Sequence, residues 1–182
     1  MHRSLLLEQL RIYSSSIFIT PNEKQSAALI ANFIEQNMKC FDRSNRGHIT
    51  SSVWIVNAEK THVLLTHHKK FNVWVQLGGH NDNELDCKKV ALQEAEEESG
   101  ITGFTFLHEG IFDIDIHPIP GTCAYHYDVR YLLQAPADAA YIVSDESHDL
   151  AWVPFDKIHE FTTEASVLRM NNKFLVHARL NI

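Results

Sequence analysis

Apolar residues recur at two different spacings along the chain, and the spacing changes near residue 48. Before that point, residues 4–13 and 21–38 carry apolar side chains three or four positions apart, which predicts two helices. Thr20 and Pro21 are typical of the start of the second helix, as its N-cap and first helical residue. The later pattern predicts short strands at residues 49–56, 62–66, 74–77, 104–107, 110–116, 125–133 and 149–153, and a last helix over 163–178.

These elements predict an α/β fold preceded by a helical extension. Strands on both sides of a central helix, followed by a helix at the end, are typical of layered α/β domains. We place the extension at residues 1–47, with a polar connector from residue 40, and the domain at residues 48–182. The extension could be a lid, a dimer element or part of the core packing, so a homodimer is one possible partner. Core packing is the simplest of the three.

The central helix carries three glutamates on a side where solvated charges are not expected. Asp86 is its predicted N-cap and Gly100 its C′ glycine. At about 100° per residue, Glu94, Glu97 and Glu98 fall on the same half of the helix as its apolar residues Cys87, Val90, Ala91 and Ala95. Two carboxylates about 5–6 Å apart repel by about 3 kcal/mol at an effective dielectric constant of about 20. A hard divalent cation would neutralise them, whereas a solvated acidic face is the alternative.

The segment before this helix favours the cation. Residues 74–77 are predicted to form a short buried strand, which Gly78 and Gly79 follow as a turn, and a polar loop leads on to the helix. A glycine pair lets the backbone turn sharply and approach a bound group closely. Strand, glycine turn, loop and acidic helix together predict a metal-centred phosphate site.

Residues 79–101 resemble the Nudix box. Gly79 fills its first position, Glu94 follows the arginine position, Glu97 and Glu98 are the acidic pair, and the spacing agrees throughout. Two positions depart from the pattern, since Leu85 stands where a glutamate belongs and Gln93 replaces the arginine. Either an ion pair that supports the loop has been lost as a unit, or another acidic residue, Glu84 or Asp86, has taken over.

The resemblance implies an α/β/α sandwich with a mixed sheet and a metal-dependent hydrolase that cleaves a diphosphate linked to a nucleoside. By analogy with the family, Glu94, Glu97 and Glu98 would bind Mg²⁺ or Mn²⁺, with the backbone carbonyl of Gly79 as a further ligand. Glu97 and Glu98 are then catalytic candidates. The general base would be Glu98 or the loop residue Glu146.

Candidate substrate-binding residues lie outside the acidic helix; they are His80, His117, Tyr125, His126 and Arg130. Alternate residues of a strand point to opposite faces, so Tyr125 cannot share a face with His126 and Arg130. The sequence leaves open which set faces the ligand.

Two other functions remain open. The departures at Leu85 and Gln93 are compatible with a catalytically silent nucleotide-binding or regulatory domain. The three glutamates argue against it. If the sequence had drifted after catalysis was lost, carboxylates that are costly to place on the buried side of the helix should have been replaced as well. An isomerase acting on an isoprenoid diphosphate shares this fold, but its cysteine and glutamate chemistry is not recognisable here.

Composition narrows the partners. The 182 residues are 45% hydrophobic and 21% charged, which is typical of one soluble globular domain. The net charge of -7 argues against nucleic acid as a partner. We see no apolar run of the roughly 20 residues that span a membrane and no signal-peptide core, so no membrane partner is expected. Three scattered cysteines, Cys40, Cys87 and Cys123, predict ordinary thiols in the cytoplasm.

The 12 histidines do not predict a zinc site. Neither the pair at residues 67–68 nor the segment near His148 has matching ligands at the usual zinc spacings. Most histidines are therefore expected on the surface. His80, His117 and His126 are the exceptions to watch, because they flank the proposed site.

Overall fold

A computed structural model describes residues 2–119 and 124–180 of the chain. The helices are α1 (His2–Ser15), α2 (Pro21–Gln36), α3 (Cys87–Ser99), α4 (Ile158–Phe161) and α5 (Ala165–Leu180). The strands are β1 (Gly47–Val56), β2 (His62–His68), β3 (Val73–Val75), β4 (Leu77–His80), β5 (Thr105–Phe106), β6 (Asp113–Pro118), β7 (Tyr125–Gln134) and β8 (Ser147–Pro154). A short 3₁₀ helix, Phe155–Lys157, and α4 were not predicted from the sequence.

The strands pair in a sheet with the order β3-β2-β1-β7-β5, in which β4 pairs with β1, β6 with β7 and β8 with β2. Strands β1 and β7 run in the same direction, as the backbone hydrogen bonds between their corresponding ends show. Tyr125 donates to the carbonyl of Arg46, and Ala135 donates to that of Val56. Strand β2 runs antiparallel to β1, β3 and β8, and β7 antiparallel to β5 and β6. The predicted α/β class with a mixed sheet is therefore confirmed.

The chain forms two compact units. The first contains residues 2–52, 78–93 and the described part of 108–131, and the second contains residues 53–77, 94–107 and 132–180.

In the first unit, the two N-terminal helices pack against strand β7. The phenol of Tyr131 donates a hydrogen bond of 3.0 Å to Gln9 of α1. The ring of Phe33 of α2 stacks on that of Tyr127, with centroids 3.9 Å apart. Thr20 caps α2 in a capping box, as its predicted N-cap role requires. The extension thus makes core contacts, while the boundary at residue 47 stays a prediction.

The prediction for residues 74–79 is wrong in one respect. The single buried strand followed by a glycine turn is instead two short strands, β3 and β4, and Gly78 lies inside β4. A Cβ atom on Gly78 would lie 2.2 Å from the Cβ of Ser52 in β1. Glycine is therefore required because β4 approaches β1 closely, and not because the chain turns there.

In the second unit, strand β2 pairs with β8 from His62 opposite Pro154 to His68 opposite Ser147. Its central residues are fully buried, and so are some residues of β8 and α5; the buried set includes Val63, Leu64, Leu65, Val153, Val167 and Met170. This core fixes the ends of β2 and β8, where the candidate base Glu146 is attached.

Candidate functional site

Helix α3 begins and ends where the sequence predicts. The side chain of Asp86 accepts hydrogen bonds from the backbone amides of Lys88 and Lys89, at 3.1 and 3.2 Å, as an N-cap. Gly100 has a φ of +69°, and its amide donates to the carbonyl of Glu96 at 2.9 Å, which is a C′ arrangement. Both predicted caps are confirmed.

The glutamates of α3 differ in burial. The apolar residues predicted to face inward are buried, namely Cys87, Val90, Ala91 and Ala95. Glu94 and Glu98 are half-buried, and the Oε2 atom of Glu98 is fully buried. Glu97 is exposed, so the prediction that all three face inward is wrong for this residue. It lies about 100° around the helix from Glu98 and so falls at the edge of the buried face.

The chemistry of this donor set fits a hard divalent cation. Carboxylate oxygens are the ligands that Mg²⁺ and Mn²⁺ prefer, and residues at i, i+3 and i+4 of a helix are neighbours. Glu94, Glu97 and Glu98 have this spacing, and at least one of their oxygens is held away from solvent.

The loop before α3 is held by Glu84. Its carboxylate accepts hydrogen bonds from the amides of Leu85 and Asp86, at 2.8 and 3.2 Å, and from Lys89 Nζ at 2.5 Å. The bond from Lys89, followed by the two amides, lowers the pKa of Glu84 to about 2. These contacts favour the hypothesis that Glu84 replaces the missing acidic residue of the box, while Asp86 serves as the cap.

A buried polar chain joins the same loop to β1. Ser51 donates to Asn81 at 2.8 Å, and Asn81 donates to the carbonyl of Glu84 at 3.0 Å and to the sulfur of Cys87 at 3.4 Å. Burial raises the pKa of Cys87 to about 12, so the thiol is neutral. Cys40 is likewise a free, buried thiol, whereas Cys123 lies outside the described residues.

Glu146, the loop candidate for the general base, lies at the end of the β2–β8 core. Its carboxylate is exposed, and its backbone carbonyl accepts a hydrogen bond of 3.2 Å from the amide of Lys69. Four residues earlier in the same loop, the amide of Ile142 donates to the carbonyl of Ser99 at the end of α3, at 2.7 Å. The loop is thus anchored at both points, and the role of Glu146 as a base stays a prediction.

Strands β6 and β7 place the candidate substrate residues on two faces. Directly opposite residues share a face, and the pairs on the polar face are Asp113 with Arg130, Asp115 with Asp128 and His117 with His126. Tyr125 lies on the other face and is exposed. The structure therefore places His117, His126 and Arg130 on one face of these strands and Tyr125 on the other.

Arg130 lies inside an ion-pair cluster. Its side chain is only 1% exposed and donates to Asp128 at 2.6 Å and to Asp113 at 3.3 Å, while Asp115 lies at 3.5 Å. With its donors engaged by carboxylates, Arg130 makes structural contacts that do not support its predicted role in substrate binding.

Opposing effects set the pKa values in this cluster. Burial alone would raise the pKa of Asp128, but the charges of Arg130 and His117 and hydrogen bonds lower it overall. Ser52 of β1 donates one of those bonds, at 2.7 Å, and Thr50 also donates to this carboxylate, at 2.9 Å. Burial would lower the pKa of Arg130, but the carboxylates raise it overall. Asp128 and Arg130 are therefore both ionised at neutral pH.

Three histidines meet beside this cluster in the first unit. His48 of β1, His80 of β4 and His126 of β7 each place a ring nitrogen within 4.8 Å of the other two. His117 packs on His126, with ring centroids 5.2 Å apart. Burial, followed by the charges of His117, His48 and His80, lowers the pKa of His126 to about 3. Burial also lowers the pKa of His48, so both rings are neutral at pH 7.

Sequence reasoning missed His48. Its signal is present but weak: His48, Thr50 and Ser52 alternate along β1 as His126, Asp128 and Arg130 do along β7. Only the parallel pairing of two strands far apart in sequence puts these residues together.

The comparisons with known proteins agree with the box. Residues 47–171, more than half of the chain, match the family described as the NUDIX domain. The chain belongs to the Nudix family. No curated protein matches it in sequence.

Solved structures show the same Nudix fold. An Ap4A hydrolase of C. elegans in a binary complex has a TM-score of 0.64 and 18% identity, over 72% of this chain and 97% of that one. A NUDIX family hydrolase of Clostridium perfringens gives 0.59 and 22%, over 72% and 98%. The NUDIX domain of Shewanella oneidensis NrtR, complexed with ADP ribose, gives 0.54 and 13%, over 72% and 87%. At these identities the likeness concerns the fold alone.

In the second unit of this Nudix protein, a cavity of about 190 Å³ lies beside Trp74, His159 and Phe161, and none of the predicted site residues lines it. It is smaller than the roughly 300 Å³ at which ligand pockets begin. Within the described part of the chain, no helix is long and apolar enough to span a membrane.

Proposed function

We propose that this Nudix protein hydrolyses a phosphoanhydride bond in a nucleoside diphosphate derivative, with Mg²⁺ or Mn²⁺ as its cofactor. The observation that carries the proposal is the set of three carboxylates on α3, Glu94, Glu97 and Glu98, one of whose oxygens is buried. Burying an ionised carboxylate is costly, and a cation among the three would offset that cost. Their retention, despite the departures at Leu85 and Gln93, favours a working site.

The proposed roles follow from the donor chemistry. A divalent cation held by the three glutamates would neutralise the phosphate oxygens and lower the pKa of a bound water. Glu98 or Glu146 would accept the proton of the attacking water, as a general base. Gly79 stays a predicted further ligand, on the strength of the resemblance to the box.

The substrate class is argued from charge and from the family. A chain with a net charge of -7 needs cations to accept a polyphosphate, which agrees with a metal-bound diphosphate and not with nucleic acid. Nudix structures of similar fold include an Ap4A hydrolase and a domain complexed with ADP ribose. We therefore propose a nucleotide, an ADP-ribose-like compound or a nucleotide sugar. His80, His117, Tyr125 and His126 stay candidates for contacting it.

A silent binding domain is the second candidate. Leu85 and Gln93 replace the charged residues of the box, and the ADP-ribose complex shows that a Nudix domain can be crystallised with such a ligand. This alternative predicts nucleotide binding without turnover.

The test is a panel of nucleoside triphosphates, dinucleoside polyphosphates, ADP-ribose and nucleotide sugars, assayed with Mg²⁺ or Mn²⁺ for phosphate or pyrophosphate release. We expect Glu97→Gln and Glu98→Gln to lower kcat by at least about 100-fold, as loss of a general base or a metal ligand does. Glu96→Gln, on the same helix, is the matched control and should stay within about twofold of the wild type.

The outcomes separate the candidates. Turnover that survives both Glu97→Gln and Glu98→Gln contradicts the proposal, and tight binding without turnover in the wild type supports the silent domain. If Glu146 is the base, Glu146→Gln lowers kcat without weakening Mn²⁺ binding. Replacing a metal ligand lowers both kcat and the affinity for Mn²⁺.

We also propose a cytoplasmic location, which the free thiols of Cys40 and Cys87 support. A homodimer stays a prediction that sedimentation of the whole chain would test.

A further inference from the structure

Three strands of the first unit converge on one group of imidazoles. The ring centroids of His48, His80 and His126 are 4.8 to 5.3 Å apart in each pair. His48 is buried, and His80 and His126 are half-buried. The residues come from β1, β4 and β7, so the paired strands and not a flexible loop fix their spacing.

We propose that His48, His80 and His126 form a binding site for a divalent transition metal, with zinc as the expected occupant. Imidazole nitrogen is a preferred ligand of Zn²⁺, Co²⁺, Ni²⁺ and Cu²⁺, whereas Mg²⁺ and Ca²⁺ prefer oxygen. The site is therefore chemically distinct from the carboxylates of α3, and it does not depend on the function proposed for them.

Two buried nitrogens point to such a ligand. The Nε2 atoms of His48 and His126 are buried and have no hydrogen-bond partner among the described residues. A buried polar atom without a partner is costly, and metal coordination would offset the cost. Nδ1 of His48 lies 3.4 Å from the carbonyl of Asn45, so the tautomer that donates there leaves Nε2 free to coordinate.

The distances suit a metal with only small movements. Three nitrogens no more than 4.8 Å apart surround a point at most about 2.8 Å from each, and a zinc–nitrogen bond is about 2.0–2.1 Å long. Each ring would have to move inward by less than about 1 Å, which side-chain rotation supplies. Three protein ligands also leave one tetrahedral position for water or for an oxygen of a bound substrate.

Packing of the rings does not by itself explain the cluster. Apolar side chains would fill the same space without burying nitrogen atoms that lack partners. A tilted pair elsewhere provides the comparison: the rings of His67 and His148 in the second unit have centroids 5.2 Å apart. Among the described residues, they belong to no group of three side chains that could hold a metal ion.

The test uses the full chain without a histidine tag, stripped with a chelator and titrated with Zn²⁺ or Co²⁺. We expect one Zn²⁺ per chain by elemental analysis and a visible Co²⁺ spectrum of tetrahedral type. His48→Gln and His126→Gln should each weaken zinc binding by at least about 100-fold, because each removes one of three ligands. His67→Gln and His148→Gln are matched controls that should bind zinc as the wild type does.

Two measurements keep the proposal decidable. The double variant Glu97→Gln with Glu98→Gln should retain the zinc, and loss of zinc there, with retention in the histidine variants, would overturn the proposal. Wild-type protein that binds no zinc would also overturn it. If the histidine variants fail to fold, X-ray absorption of the zinc-loaded wild type counts the nitrogen ligands directly. Three imidazoles support the site, and an oxygen-only shell refutes it.

Discussion

Replacing Arg130 by methionine should destabilise the protein strongly. The arginine side chain is 1% exposed, and its ion pairs reach Asp113 and Asp128, which are almost fully buried, and the partly buried Asp115. Removing one partner of a buried ion pair costs about 3–5 kcal/mol, because the charge left behind remains desolvated. At about 2–4 °C per kcal/mol for a chain of this length, the Tm should fall by roughly 6–20 °C at pH 7.

The pH dependence gives the prediction its sign. In the wild type the folded-state pKa of Asp128 lies below its unfolded-state pKa. The ionised carboxylate therefore stabilises the protein fully above the unfolded-state pKa, and this stabilisation is lost as the pH falls through the folded-state pKa. In Arg130→Met the burial of Asp128 is no longer offset, so its folded pKa should rise above the unfolded value. Lowering the pH then protonates the buried carboxyl, and the deficit should shrink between pH 7 and about pH 5.

Urea unfolding of both proteins at pH 7, 6 and 5 measures the deficit directly. Arg43→Met is the matched control. The pair of Arg43 with Asp82 is 3.1 Å long, but its side chains are 63% and 50% exposed, so its loss should cost less than about 1 kcal/mol. A Tm of Arg130→Met within about 2 °C of the wild type would refute the account. So would a deficit that does not change with pH, whereas a raised KM in a fully stable variant would restore the substrate role.

Two further predictions concern the segment around the box. Gly78→Ala places a Cβ 2.2 Å from the Cβ of Ser52, so we expect a loss of more than about 2 kcal/mol by thermal unfolding. Gly103→Ala, where nothing lies within 4 Å, should cost about 1 kcal/mol, and equal losses would contradict the close-approach explanation. The double variant Leu85→Glu with Gln93→Arg should raise kcat by less than about tenfold, because Glu84 already holds the loop. A larger gain would show that the missing ion pair limits the reaction.

The features that the sequence predicts well depend on residues within one or two helical turns along the chain. The caps of α3, Asp86 and Gly100, follow from the residues beside them, and its buried side follows from helical periodicity. Glu97 shows the limit of that reasoning, because a helical wheel gives an angle but not where the neighbouring surface ends. Burial at the edge of a face is decided by packing partners that come from elsewhere in the chain.

What could not be predicted depends on strand pairing. The sequence predicts a turn at Gly78, because a glycine that lets two strands approach has the same local sequence as a glycine that lets the chain bend. The sequence does not predict a zinc site for a similar reason: zinc spacing rules apply to ligands close together in sequence, whereas His48, His80 and His126 lie on three separate strands.

The same alternation links the ion-pair cluster to the histidines. Along β7, His126, Asp128 and Arg130 face one side, about 6.6 Å apart, and His48, Thr50 and Ser52 do the same along β1. The carboxylate of Asp128 therefore links β7 to β1 through the hydroxyls of Thr50 and Ser52. These hydrogen bonds lie two residues along each strand from the contact between His48 and His126. The positive charge of Arg130 favours the ionised form of Asp128. Asp128→Asn should therefore weaken zinc binding in the same titration, although all three proposed ligands are still present. An unchanged zinc affinity would show that the histidines alone fix the site.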